Sequence, residues 1–329
     1  MKILLTGGAG FIGSHIARSL LLNRHTIKII DNLSNSNHVV IDNLQAQTNQ
    51  IVQFANTDVL HQNDLLVEMQ AYQPDVVIHL AGLKSVSDSM REPMNYYATN
   101  VSGTINVLRS MDHVGCKKII FSSTATVYGD AQYLPLDEQH PIKPHNPYGY
   151  SKYMAEQVIT DWSRNHQKNT AIILRYFNPI GSSPDYKFGE NPLQAPTNLL
   201  PVLIKSAKSN SEFYIYGNDY STDDGTAERD FIHVMDLAEA HVLAALTELS
   251  CETHVLNLGT GRPTSVKKMV ETFSEISGTQ LKVKVKKRRA GDIESSWTKN
   301  DYALQSLGWK PTRSVRDGIA DAWNFSKKI

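Results

Sequence analysis

The sequence predicts a doubly wound α/β fold, a parallel sheet with helices on both faces, followed by a smaller C-terminal α/β unit. Three observations point there. Short apolar runs alternate with amphipathic helical patterns through the first half of the 329-residue chain. Most of the runs are continuously apolar, as strands covered on both faces must be. Polar or small residues follow their carboxyl ends, namely Gly7, Asp31, Asp58, Gly82, Ser123 and Asn178. That is the edge where such sheets bind ligands.

In order along the chain, strands are predicted at residues 2–6, 26–31, 51–58, 76–81, 118–122 and 171–176. Amphipathic helices are predicted between them, for example at 12–22, 63–71, 101–114 and 147–165. Past residue 176 the texture changes. Residues 178–201 are dense in Pro, Gly, Asn and Ser, and 217–228 form a second irregular stretch. A loop that long in a compact chain is functional or disordered, and its recurring prolines and apolar residues favour an ordered, ligand-covering one. Short elements at 213–216, 234–246, 255–258, 265–276, 281–286 and 315–326 complete the second unit. The division is placed at 1–177 and 178–329, with segments around 230–260 packing back on the first unit.

Charge narrows the partners. Lys plus Arg and Asp plus Glu are 33 each, so no global field draws nucleic acid or anionic membrane to the chain. Cys116 and Cys251 have no metal-ligand spacing and read as free thiols of a cytosolic protein. The apolar start, residues 1–6, is too short for a signal h-region or a membrane span. A cytoplasmic protein is expected.

The first strand feeds directly into Gly7-Gly8-Ala9-Gly10-Phe11-Ile12-Gly13 and then a helical pattern. Gly10 lets the backbone approach a pyrophosphate, Gly13 lets the helix pack closely, and the helix N-terminus offers free N–H groups to phosphates. Glycines alone mark turns as often as sites. Their place between first strand and first helix gives them meaning. Asp31 ends the second strand at the offset of a ribose-binding acid. Its carboxylate accepts from ribose hydroxyls and repels a 2′-phosphate, so NAD is predicted over NADP.

Asn146-Pro147 reads as an N-cap and first helical residue. Tyr148 and Lys152 then share one helix face, and of the 14 tyrosines Tyr148 alone has a lysine four residues on. Such a pair by itself is usually a solvated face. Beside a cofactor it has chemistry to do. A tyrosine of pKa ~10 is about 0.1% ionised at neutrality, and lowering it by ~3 units takes about 4 kcal/mol. A neighbouring ammonium and a positive nicotinamide would supply that. Thr124, at the end of the fifth strand, offers a hydroxyl to the same substrate oxygen, or merely caps a strand end.

Together these features resemble the extended short-chain dehydrogenase/reductases, and within them the UDP-glucose 4-epimerases, along nearly the whole chain. Residues 6–15 (TGGAGFIGSH), 31–36 (DNLSNS), 79–84 (HLAGLK), 121–130 (FSSTATVYGD), 174–179 (LRYFNP) and 229–237 (RDFIHVMDL) carry the resemblance. It implies an NAD-binding Rossmann unit and a UDP-sugar-binding unit. It also implies a homodimer, with roles in galactose metabolism and polysaccharide biosynthesis. NAD contacts are implied for Gly7, Gly10, Phe11, Ile12, Gly13, Asp31, Asn32, Asn35, Ser36, Asp58 and Val59. Leu80, Ala81, Gly82, Lys84, Thr99, Tyr148, Lys152 and Phe177 complete that set. Tyr148 is implied as the base, with Lys152 and Thr124 assisting. Thr124 stands where many relatives have serine, and the hydroxyl is kept. The UDP-sugar is implied to meet Lys84, Asn178, Asn198, Leu199, Tyr214, Tyr216, Arg229, Arg289, Asp292 and Ser296. Arginine's planar fork suits a diphosphate, whereas Arg288 and the lysines of 282–286 read as solvated charge.

One departure is informative. Epimerases restricted to plain hexoses place a bulky tyrosine where this chain has Ser296, beside Ser295. The smaller side chain opens space at the sugar C2 substituent, so UDP-GlcNAc and UDP-GalNAc are expected substrates too. A 4,6-dehydratase would need an acidic pair after Thr124, where Ala125 and Thr126 stand. A non-catalytic dinucleotide sensor would not need both Tyr148 and Lys152.

Overall fold

Six of the predicted apolar runs are strands of one sheet, in the computed structural model that describes residues 1–165, 168–193, 195–289 and 291–329. They are β1 (Lys2–Thr6), β2 (Thr26–Asp31), β3 (Gln53–Asn56), β4 (Val76–His79), β5 (Lys118–Thr124) and β6 (Thr170–Tyr176). Between them lie α1 (Phe11–Leu22), α2 (Val39–Thr48), α3 (Gln62–Tyr72), α4 (Val86–Arg91), α5 (Pro93–Tyr97), α6 (Gly103–Val114) and α7 (Pro147–Asn165). Neighbouring side chains on a strand face opposite ways, and each face finds its own core. Ile3 and Leu5 of β1 pack with Ile16 and Leu20 of α1. Leu4 between them packs with Leu65 and Met69 of α3 and Ile159 of α7.

The remaining elements are β7 (Asn178–Ile180), α8 (Leu199–Ser209), β8 (Glu212–Tyr216), β9 (Glu228–His233) and α9 (Val234–Leu246). Then come β10 (Thr253–Leu258), β11 (Pro263–Ser265), α10 (Val266–Ser277), β12 (Lys282–Lys286), β13 (Ser295–Ser296), α11 (Asp301–Leu307) and α12 (Val315–Ser326). Strand β10 crosses back to pair in parallel with β6. The main sheet therefore has seven strands in the order β10-β6-β5-β4-β1-β2-β3. Strand order reverses beside β1, which opens a crevice at the carboxyl edge. Strands β7, β11 and β13 gather around β9, while β12 pairs with β8 alone.

Several boundaries differ from the sequence reading for identifiable reasons. The third strand begins at Gln53, because Ile51 is solvent-exposed and the Val52 amide turns to the Gln45 side chain of α2. Strand β5 runs on through Thr124, whose partner is Tyr176. Helix α2 escapes the periodicity test because it buries just Ile41 and Leu44. The irregular stretch after residue 178 ends where α8 starts at Leu199, with Pro201 in the first turn, where it costs no helix bond. In β12 the valines are exposed along with the lysines, Val283 by 40% and Val285 by 52%, where the strand pairs with β8 alone. Among the described residues no helix is long and apolar enough to cross a membrane, and both cysteines are free.

Candidate active site

A cleft of about 950 Å³ follows the carboxyl edge of the sheet and continues between β6 and the C-terminal elements. Every residue given above as an NAD contact lines it. At its floor the glycine loop is held by sterics. Gly7 has φ of +70°, and a Cβ there would meet Ala81 N at 2.6 Å; one at Gly13 would meet Gly7 O at 2.5 Å. Gly10 sits at the N-cap of α1 with no side chain capping the helix, so the first-turn amides face the cleft with a positive dipole end. That is a cradle for a pyrophosphate, and the residues present fit a dinucleotide.

Asp31 does more locally than its sequence position suggests. Its Oδ2 accepts from Ala9 N at 3.0 Å, and its Oδ1 accepts from Leu33 N at 2.9 Å and Ser36 Oγ at 2.9 Å. The carboxylate thus ties the glycine loop to the turn after β2. Of about four acceptor sites on a carboxylate, one stays open for a ribose hydroxyl, and rotation of Ser36 frees another. Asn32 donates to Asp58 at 2.7 Å across the next turn.

Helix α7 brings Tyr148 and Lys152 to the wall of the cleft. Its N-terminus forms as the Asn-Pro signal implies, with Asn146 Oδ1 accepting from Gly149 N at 2.9 Å. The Tyr148 ring meets Tyr96 edge-on at 6.4 Å between centroids. Burial pushes the Tyr148 phenol up to about 12, with a hydrogen bond to Thr124 pulling the other way. Burial drops the Lys152 ammonium to about 7, opposed by the charge of Glu156. Lys152 Nζ lies 4.3 Å from the centre of the Phe121 ring. Beneath it His79 is driven neutral, to about 3, by burial and by the lysine. Glu156 gives Lys152 little because its charge is committed elsewhere: Arg175 Nη2 donates to Oε2 at 2.7 Å and Nε to Oε1 at 3.0 Å. Of the two charges expected to lower the phenol together, a neighbouring ammonium and a positive nicotinamide, Lys152 does not by itself offset the burial of Tyr148. In a buried site the cost of two charges outweighs the pairing, and the chain's own groups leave the phenol protonated.

The C-terminal wall is formed by Asn178, Asn198, Arg229 and Ser296, which line the same cleft as Tyr148 and Thr124. Ser296 pairs with Arg229 across β13 and β9. The Arg229 guanidinium donates to the backbone oxygens of Glu228 at 2.7 Å and Glu294 at 3.5 Å. Among the described residues it has no carboxylate in ion-pair contact, and burial lowers its pKa. A buried cation with donors to spare, facing a cleft, suits an anionic ligand. Leu199, Tyr214, Tyr216, Arg289 and Asp292 do not line the cleft itself. Of these, Asp292 acts on the cleft through its charge on Arg229, which also feels Tyr220. Arg289 lies 3.7 Å over the Tyr216 ring. Arg288 is more than solvated charge: it stacks 4.0 Å over Tyr220 and donates to Asp219 at 2.8 Å, pinning the loop after β8.

Two residues of the site were missed in the sequence. A π-turn at Ala98–Ser102, a feature common at functional sites, aims Asn100 inward. Its Oδ1 accepts from Leu83 N at 2.8 Å, and its Nδ2 donates to Leu83 O at 3.1 Å and Ser151 Oγ at 2.9 Å. It thereby locks the turn of residues 82–84 against α7. Glu190 faces the cleft from the long loop and pairs with Lys84. The nearest sequence signal for Asn100 is its place after a tyrosine pair in a helical stretch; Glu190 had none.

The NAD dependent epimerase/dehydratase family model matches residues 3–259. A UDP-glucose 4-epimerase of Yersinia enterocolitica is 42% identical over 329 residues, covering 99% of this chain and 98% of that protein. The crystal structure of a UDP-glucose 4-epimerase from Bifidobacterium longum, in complex with NAD+ and UDP, superposes with a TM-score of 0.96 at 37% identity, covering 100% of this chain and 98% of that one. A UDP-Glc/GlcNAc 4-epimerase from Campylobacter jejuni superposes with a TM-score of 0.86 at 34% identity, covering 100% and 99%.

Proposed function

The chain belongs to the NAD dependent epimerase/dehydratase family, and from that premise we propose an enzyme that inverts C4 of UDP-hexoses through a 4-keto sugar. It is an NAD-dependent nucleotide-sugar 4-epimerase. One observation carries the reading: Tyr148, Lys152 and Thr124 share a single cleft with a glycine-loop cradle at one end and the buried cation Arg229 at the other.

The cofactor unit is residues 1–177 with the returning segment near 230–260, and the rest of 178–329 holds the UDP-sugar. The glycine loop, Asp31 and Lys152 would hold NAD, which when bound would supply a reversible hydride acceptor for C4 and a positive ring that favours the Tyr148 phenolate. Tyr148 Oη takes the proton of the 4-hydroxyl and gives it back. Thr124 Oγ1 holds the same sugar oxygen. Arg229, with Arg289, anchors the diphosphate, so binding energy is spent away from the reacting carbon. Firm anchoring there and few directional contacts at the sugar let the keto sugar turn over. Elimination in place of epimerisation is disfavoured, because the residues after Thr124 are Ala125 and Thr126, neither of them acidic.

The site also bears on the substrate range. Ser296 stands in register with Arg229, at the mouth of the sugar region, and its small side chain supports acceptance of UDP-GlcNAc and UDP-GalNAc. The enzyme is read as a cytoplasmic homodimer. Support for the dimer comes from exposed Met90, Met94, Tyr150 and Met154 on packed helices α4, α5 and α7, an apolar face a second copy would cover.

Purified protein without added NAD, incubated with each of the four UDP-sugars and followed by anomeric proton NMR, is expected to interconvert both pairs. Ser296→Tyr is expected to abolish turnover of the acetamido pair first. Equal loss on both pairs would remove Ser296 as the determinant, and conversion of none by the parent enzyme would favour a dinucleotide sensor.

A further inference from the structure

Glu190 stands where the two walls of the cleft meet. Its Oε1 accepts from Lys84 Nζ at 3.0 Å on the cofactor side and from Asn198 Nδ2 at 2.8 Å at the N-cap of α8. Its side chain is 13% exposed, whereas that of Lys84 is 53% exposed. All three residues line the cleft. A half-exposed ion pair contributes little stability on its own, so the value of this one lies in geometry. An asparagine amide beside a carboxylate has one allowed orientation. Its NH₂ faces the carboxylate and its carbonyl turns away, since two acceptors repel. Asn198 is then left with one N–H and its oxygen for a ligand, and Lys84 with two of its three N–H groups.

The charges matter as well. A carboxylate in a cleft that receives a diphosphate would repel it. Paired with Lys84, Glu190 adds an acceptor without adding net negative charge.

We propose that Glu190 is a positioning residue for the nucleotide sugar, fixing the Asn198 amide and the Lys84 ammonium in the orientations that receive UDP. This rests on the UDP-sugar reading of the cleft. The acid touches no reacting atom and acts through its two partners.

The test is a double-mutant cycle on the holoenzyme, with UDP affinity measured by calorimetry. Glu190→Ala is expected to weaken UDP by about tenfold in the parent, and by less than about twofold in an Asn198→Ala background, a coupling of the size contacting residues show. Steady-state kinetics are expected to place the loss on KM more than on kcat. Glu190→Gln, which keeps the side-chain volume, covers the case of a poorly folded alanine variant and is expected to fall between parent and alanine. Lys84→Met, which leaves the carboxylate bare, is expected to weaken UDP and to be partly rescued by adding Glu190→Gln. Equal losses in both asparagine backgrounds, or no loss at all, would overturn the proposal. Failure of the parent enzyme to bind UDP would instead overturn the UDP-sugar reading.

Discussion

Replacing Tyr148 with phenylalanine is expected to cut turnover by about 10²–10⁴-fold, the range of a lost acid–base group, with dinucleotide content and UDP affinity kept. The substitution removes one oxygen and leaves the ring, so its edge-on packing with Tyr96 survives. Dinucleotide absorbance of the purified variant and UDP calorimetry separate a chemical defect from a folding one. The pH profile adds a signed test. Burial lifts the phenol to about 12 in the chain alone, and any charge that lowers it in the complete enzyme leaves a base whose active form grows as protons are withdrawn. The parent rate should therefore climb with pH up to the working pKa, and the residual rate of the variant should stay flat. A phenylalanine enzyme at full speed, or one with the parent's pH slope, would remove Tyr148 as the base.

Lys152→Met is expected to cost at least about 10²-fold in turnover while raising the melting temperature of dinucleotide-stripped protein below pH 7. Burial holds the folded Lys152 near 7, against an ordinary lysine value of ~10.4. Between those values the unfolded chain binds a proton that the folded chain lacks, so stability rises with pH across that window. Below it both states carry the charge, and the folded one bears the desolvation penalty, several kcal/mol in order of magnitude. Methionine, of similar length, escapes that penalty. The stability gap should be widest near pH 6 and close as pH approaches 10. A variant less stable than the parent at pH 6 would mean that the lysine is held for packing, and that its charge is not stored against stability for catalysis.

These two residues show what the chain discloses before folding. Tyr148 and Lys152 were legible because helix geometry sets which side chains share a face, and Pro147 marks where that helix starts. The parallel strands were legible because burial on both sides forces continuous apolar runs. What stayed hidden depends on tertiary company. The phenol's elevation follows from walls contributed by β5, α5 and α7, and no local pattern records it. Asn100 matters through a turn of backbone 17 residues away, and Glu190 through a lysine 106 residues away. Arg288 read as solvated charge because its ring partner, Tyr220, arrives only with the loop after β8. Helix α2 went unseen for a simpler reason, since two buried side chains make too faint a stripe.

The route of strand β10 also has a consequence for synthesis. Strand β6 is complete at Tyr176, yet β10, the neighbour that covers its outer flank, ends at Leu258. At roughly 5–20 residues per second, a ribosome leaves that flank unpaired for on the order of ten seconds. During that interval six backbone positions of β6 are open to any passing strand. Crowded expression at high temperature should therefore find its aggregating species among chains stalled between those two points, and slower, cooler translation should favour recovery of full-length protein.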